Sequence, residues 1–106
     1  MLYAPIAVST NGDNTIVTGV PRKRIRLVAG VLSFSGTVNA RWKSGASLDL
    51  SGLYYGVANV LVPFDYPSEG MGGFYGHLET AQGDDLVLNL SAGVAVGGHI
   101  VYLLVN

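Results

Sequence analysis

The cleanest pattern along the chain is the alternation Thr37-Val38-Asn39-Ala40-Arg41-Trp42-Lys43. Side chains on a strand point to opposite faces with a period of two, so Val38, Ala40 and Trp42 share an inward face. Thr37, Asn39, Arg41 and Lys43 then face out. The same rule puts Leu86, Leu88 and Leu90 toward a core, with Val87 and Asn89 opposite. Two other stretches behave differently. Arg24-Ile25-Arg26-Leu27 alternates, but Val28 to Phe34 is apolar on both faces, which suits the middle of a sheet. The final run, His99 to Val105, is also apolar on both faces. One set, Ile100, Tyr102 and Leu104 or else Val101, Leu103 and Val105, packs inward. The other is left for a neighbour. The pattern does not say which.

Between these runs the turn-forming residues recur at short intervals, and no segment has helical periodicity. Leu2 to Ser9 carries Tyr, Ile and Val around Pro5, which confines it to an edge strand or an arm. Asn11-Gly12 is a hairpin signal. Asn14 to Thr18 is a short strand closed by Gly19 and Pro21. Ser35-Gly36 and Ser44-Gly45 are turns, Leu48-Asp49-Leu50 is a short strand, and Asn59 to Phe64 is another. Residues 65–77 are glycine-rich and aromatic, and read as a long surface loop. Short β-rich runs between frequent turns mark a sandwich or barrel. The count is about eight strands, which predicts an all-β fold: an antiparallel β-sandwich, jelly-roll-like, of two packed sheets. The chain is a single domain, with residues 1–20 as an N-terminal arm or edge strand and 21–106 as the sandwich.

Composition adds one strong constraint. The 106 residues are 49% apolar, but only 12% are charged, where about 25% is usual. So few charges leave little polar surface for a monomer, and burial between subunits is the simplest remedy. Net charge is −1, which provides no global attraction to nucleic acid or an anionic membrane. With no cysteine, there is no disulfide framework and no thiol nucleophile. The N-terminus lacks a basic segment leading into an apolar one, so no signal peptide is expected. No apolar run reaches the roughly 20 residues of a spanning helix.

The candidate sites are few. Arg22, Lys23, Arg24 and Arg26 form the one basic cluster. They suit either an acidic partner surface or phosphate, or else a solvated loop and strand start, where charge also blocks edge pairing. His77 and His99 are isolated, without the H-x-H or H-x-x-x-H spacing of a metal site, and no nucleophile elbow accompanies them. The expectation is therefore no catalytic residue, no bound metal and no cofactor. Asp84-Asp85, with Asp65 and Glu69, lacks the regular spacing of calcium ligands, and a solvated turn is the favoured reading. Tyr54, Tyr55, Phe64, Tyr66, Phe74 and Tyr75 concentrate the aromatic residues in one region. Of these, Tyr66, Phe74 and Tyr75 suit either a contact platform or the capping of one open end of the sandwich.

Val38-Asn39-Ala40-Arg41-Trp42-Lys43-Ser44-Gly45, Leu78-Glu79-Thr80-Ala81-Gln82-Gly83-Asp84-Asp85-Leu86 and Val94-Ala95-Val96-Gly97-Gly98-His99-Ile100-Val101-Tyr102 carry a resemblance. Together, and with Val87-Leu88-Asn89-Leu90-Ser91-Ala92 continuing the second of them, they are similar to small single-domain β-sandwich virion proteins of tailed bacteriophages, over roughly residues 24–105. The loop before Glu79-Thr80-Ala81 is longer than that group's pattern. What the resemblance implies is a capsid decoration, or cement, protein: a homotrimeric jelly roll seated where capsomers meet. It would be made in the host cytoplasm and carried on the capsid exterior.

On that reading the partners are other copies of the chain and the major capsid protein, with neither nucleic acid nor membrane involved. The last strand, Ile100, Val101, Tyr102, Leu103 and Leu104, is expected to supply the subunit contact. Arg22, Lys23, Arg24 and Arg26 are expected to supply a capsid contact. The alternative is a receptor- or glycan-binding module of a tail or head fibre, working through the aromatic loop. A cupin-like enzyme would need a metal-ligand set that the two histidines do not form.

Overall fold

The computed structural model describes residues 2–64 and 78–106. The strands are β1 (Leu2–Val8), β2 (Gly12–Val17), β3 (Arg24–Phe34), β4 (Val38–Ser44), β5 (Leu48–Asp49), β6 (Tyr54–Gly56), β7 (Val60–Phe64), β8 (Leu78–Glu79), β9 (Leu86–Leu90) and β10 (Val96–Val105). They form two antiparallel sheets. The first runs β1-β10-β3-β7, with β8 also on β3; the second runs β2-β9-β4-β5, with β6 also on β4. First and last strands thus pair, second and second-to-last pair, and the chain winds inward: a jelly-roll order. The ten described segments fill eight positions, because β7 and β8 share one flank of β3 and β5 and β6 share one flank of β4. The shortest dimension, 21 Å, fits two sheets about 10 Å apart plus their outer side chains.

The core lies between the sheets. From the first come Ala4, Ile6, Ile25, Leu27, Leu32, Phe34, Val96 and Ile100; from the second come Val17, Val38, Ala40, Trp42, Leu86, Leu88 and Leu90. On β4 the alternation is complete, with Val38, Ala40, Trp42 and Ser44 buried and Asn39, Arg41 and Lys43 half-buried on the other face. On β3 the double-sided apolar pattern has a specific cause. The inward residues are Ile25 and Leu27 at one end and Leu32 and Phe34 at the other, so the phase flips midway. The register against β10 slips there, with Val101 opposite Ala29 and Tyr102 opposite Leu27. Val28 is the extra residue, and a bulge of this kind turns an odd-numbered face into an even-numbered one.

Asn11-Gly12 is not a hairpin turn. β1 belongs to the first sheet and β2 to the second, so the chain rounds a corner between sheets there. The dipeptide correctly marks a reversal needing positive φ, and Gly12 sits at φ 99. The turn residues do not specify which sheet receives the next strand, and β2 pairs with β9 of the second sheet rather than with β1.

Candidate functional site: the outer face of the first sheet

The two sheets present opposite chemistry to the outside. On the second sheet, cross-strand rows place Asp13, Asn89 and Arg41 side by side, and then Thr15, Val87, Lys43 and Asp49. These side chains are tied to one another. The Asn89 amide donates to Asp13 Oδ1 at 2.7 Å, Arg41 Nη1 meets Asp49 Oδ2 at 3.0 Å, and Lys43 Nζ lies 3.6 Å from Asp13 Oδ1. Val87 on that face is covered to 4% exposure, while Tyr55, across from Asn39 on β6, is 78% exposed. Tyr55 apart, the described side chains of these rows are polar or covered.

The first sheet differs. One outer row runs Tyr3, Val101, Ala29; the next runs Pro5, His99, Val31, Pro63; a third runs Ala7, Gly97, Ser33, Leu61. Tyr3 is 75% exposed and Leu61 66%, and Pro5, Ala7, His99 and Pro63 are exposed as well. Among the described residues, charge enters this face at one end, where Leu103 and Val105 stand beside Arg26 and Arg24. Arg26 is matched there by Glu79 across the β3–β8 pair, Nη2 to Oε1 at 2.9 Å.

The two faces of β10 differ in what they hold. Ile100 has no exposed surface, and Tyr102 and Leu104 pack against the same core. They hold the chain's own sandwich together, so a contact between subunits would use the opposite set. Val101 and Leu103 are that set, half-buried on the outer face.

At the third row the face dips into an open cleft of about 680 Å³, lined by Ala7, Val8, Ser9, Ser33, Phe34, Ser35, Asn59, Leu61, Ala95, Val96 and Gly97. Its floor is low because the row holds Gly97 between Ala7 and Ser33. The next residue, Gly98, has φ 130, and a Cβ there would collide with the Val31 carbonyl oxygen. Gly98 therefore serves close strand packing, and Gly97 leaves the dip on the outer face. Sequence reasoning missed the cleft. Its signal is the coincidence of small residues in one row, which becomes visible only once register is known.

The basic stretch is knitted to the segment before β9. Gly83 N donates to Lys23 O at 2.8 Å, Gln82 Nε2 to Arg22 O at 3.1 Å, and Ile25 N to the buried Thr80 hydroxyl at 2.8 Å. Lys23 Nζ donates to Asn106 Oδ1 at 2.6 Å. Arg22 and Arg24 remain exposed. The acidic pair is part of this same junction. Ser44 Oγ donates to Asp84 Oδ2 at 2.8 Å, and Gly19 N donates to Asp85 Oδ1 at 2.6 Å. Both aspartates are half-buried, and so act as ties within the fold rather than as a solvated turn.

His99 stands exposed on the apolar face, whereas His77, Tyr66, Phe74 and Tyr75, with Asp65 and Glu69, lie outside the described residues. Among the described residues no three His, Cys, Asp or Glu side chains are grouped to hold a metal ion. Among the same residues no helix is long and apolar enough to cross a membrane. No protein-family model matches the chain, and no curated protein or solved structure matches it either.

Proposed function

We propose that this chain is a structural assembly protein: a capsid decoration protein that works as a homotrimer bound between capsomers on the outside of a phage head. The observation that carries the reading is the contrast between the two outer faces. A polar, internally paired face can remain in water, whereas a four-strand apolar face is the kind of surface that marks an association site. The virion assignment itself rests on the resemblance of residues 24–105 to phage β-sandwich proteins.

The mechanism is linkage. A protein that binds the assembled lattice and not its free subunits stabilises the lattice by mass action, as RT ln(1 + [L]/Kd) for each site. A trimer that touches several capsomers at once converts its second and third contacts into intramolecular events, so modest individual contacts suffice. Cyclic closure hides apolar surface that an open array would leave for aggregation. In this scheme Val101 and Leu103, with Tyr3 and Ala29 in the row of Val101, join copies. The exposed Arg22 and Arg24, at the end of the sheet, meet an acidic capsid surface, with Lys23 and Arg26 flanking them.

Mass spectrometry of purified virions of the encoding phage tests the assignment. The chain is expected as a stoichiometric component that leaves the particle under conditions that keep the major capsid protein assembled. Particles of full infectivity and stability that lack the chain would overturn it. The fibre reading rests on Tyr66, Phe74 and Tyr75, and no described feature favours it.

A further inference from the structure

From the shape of this face we infer that Tyr3 of one copy seats in the cleft over Gly97 and Ser33 of a second copy, and that this knob-and-hole pair fixes how copies associate. The inference rests on the reading that the first sheet's outer face joins copies, but not on the identity of the lattice they decorate.

Five observations support this occupant. The first is chemical fit. The lining of the cleft combines the apolar Leu61 and Ala95 with the polar residues Ser9, Ser33 and Asn59. A tyrosine offers the matching combination of an apolar ring and a polar tip. Tyr3, 75% exposed, stands on that same outer face. The second is reach. Tyr3 aligns with Val101 and the cleft floor with Gly97, four residues along the strand or about 13 Å at ~3.3 Å each, so a copy cannot fill its own cleft.

The third observation concerns the edges. The outer strands β1 and β7 carry Pro5 and Pro63. Proline lacks the N–H that a further strand would need and blunts these two strands against backbone pairing. Along those two strands, contact through side chains of the face is favoured over backbone pairing. The fourth is area. Strands about 4.8 Å apart and a ten-residue β10 give a footprint on the order of 600 Å². Projecting side chains raise it toward the roughly 800 Å² per partner of a stable interface. Charge fits as well, because Arg24 and Arg26 lie at the end of the face away from the cleft, so a Tyr3-to-cleft contact need not oppose them.

The test is sedimentation equilibrium of the full chain from 1 to 100 µM, for wild type, Tyr3→Ala, Ser33→Trp and an equimolar mixture of the two variants, with Tyr55→Ala as control. Tyr55 is equally exposed, at 78%, but lies on the second sheet. Tyr3→Ala removes the knob and Ser33→Trp fills the hole, and each is expected to weaken association at least tenfold. The mixture still contains intact knobs and intact holes, so it should associate more tightly than either variant alone, and Tyr55→Ala should match wild type. A monomeric wild type at 100 µM would overturn the inference. So would Ser33→Trp associating like wild type, or a mixture no tighter than its components. If circular dichroism shows Ser33→Trp unfolded, Leu61→Glu reads the same cleft from an exposed position. Oligomers that dissociate as expected, from a chain absent from virions, would uphold the inference and remove the decoration role.

Discussion

Individual residues account for several tight spots in the fold, and each makes a measurable claim. Gly98 cannot carry a side chain: φ is 130, and an added Cβ would run into the Val31 carbonyl oxygen. Gly98→Ala is expected to cost about 3 kcal/mol or more in urea unfolding, since strain and a backbone clash add. Gly56 fails differently. Its φ is ordinary, but an added Cβ would lie 2.6 Å from the Phe34 ring. Gly56→Ala should therefore cost about 1–3 kcal/mol by overpacking. Gly52, with nothing within 4 Å, is the matched control and should change stability by less than ~0.5 kcal/mol as alanine. Equal midpoints for the three variants would contradict these roles for the glycines.

Thr80 makes a second claim at this scale. Its buried hydroxyl accepts from Ile25 N at 2.8 Å, while its own N–H donates to Ile25 O at 2.9 Å. Thr80→Val keeps the shape and the backbone bond but strands the Ile25 N–H. The expected loss is about 1–3 kcal/mol, the penalty of one unpaired buried donor. The neighbouring Arg26–Glu79 pair is one-third exposed on both sides, so Glu79→Gln should cost no more than ~1 kcal/mol. Thermal or urea unfolding of both variants checks the ranking.

At the scale of elements, most strands were legible because one face of each is buried and the other is not. On β4 and β9 the alternation named the core residues Val38, Ala40, Trp42, Leu86, Leu88 and Leu90. Legibility failed where the cause was not local. β6 and β8, of three and two residues, are too short to show a period and exist because the flanks of β4 and β3 had room. The corner at Asn11-Gly12 looked like a hairpin because a turn signal does not state which sheet receives the next strand. The double-sided runs had two different origins. On β3 it came from a bulge at Val28 that exchanges the faces. On β10 it came from a true second apolar face. The bulge can be tested by deletion. Removing Val28 should put Ile25 and Leu27, or else Leu32 and Phe34, on the wrong face, and should abolish cooperative unfolding by circular dichroism.

At the scale of the whole molecule, the low charge content and the split between faces tell one story. The sequence holds few charges, and the fold puts Asp13, Arg41, Lys43 and Asp49 together on the second sheet. The first sheet is left with Tyr3, Pro5, Val31, Val101, Leu61 and Pro63 outside. Composition alone pointed to burial between subunits but could not locate it, because locating it requires the register of four strands. The central claim is that this face is buried between copies of the chain. Light scattering on the eluting peak of a size-exclusion column measures it most directly, with wild type beside Val101→Glu, which places a charge in the middle of the face. Wild type is expected at three times the chain mass of 11.1 kDa and Val101→Glu at a single chain mass, both with the same circular dichroism spectrum. A wild type that elutes with the mass of one chain, or a Val101→Glu variant that keeps the wild-type mass, would contradict it.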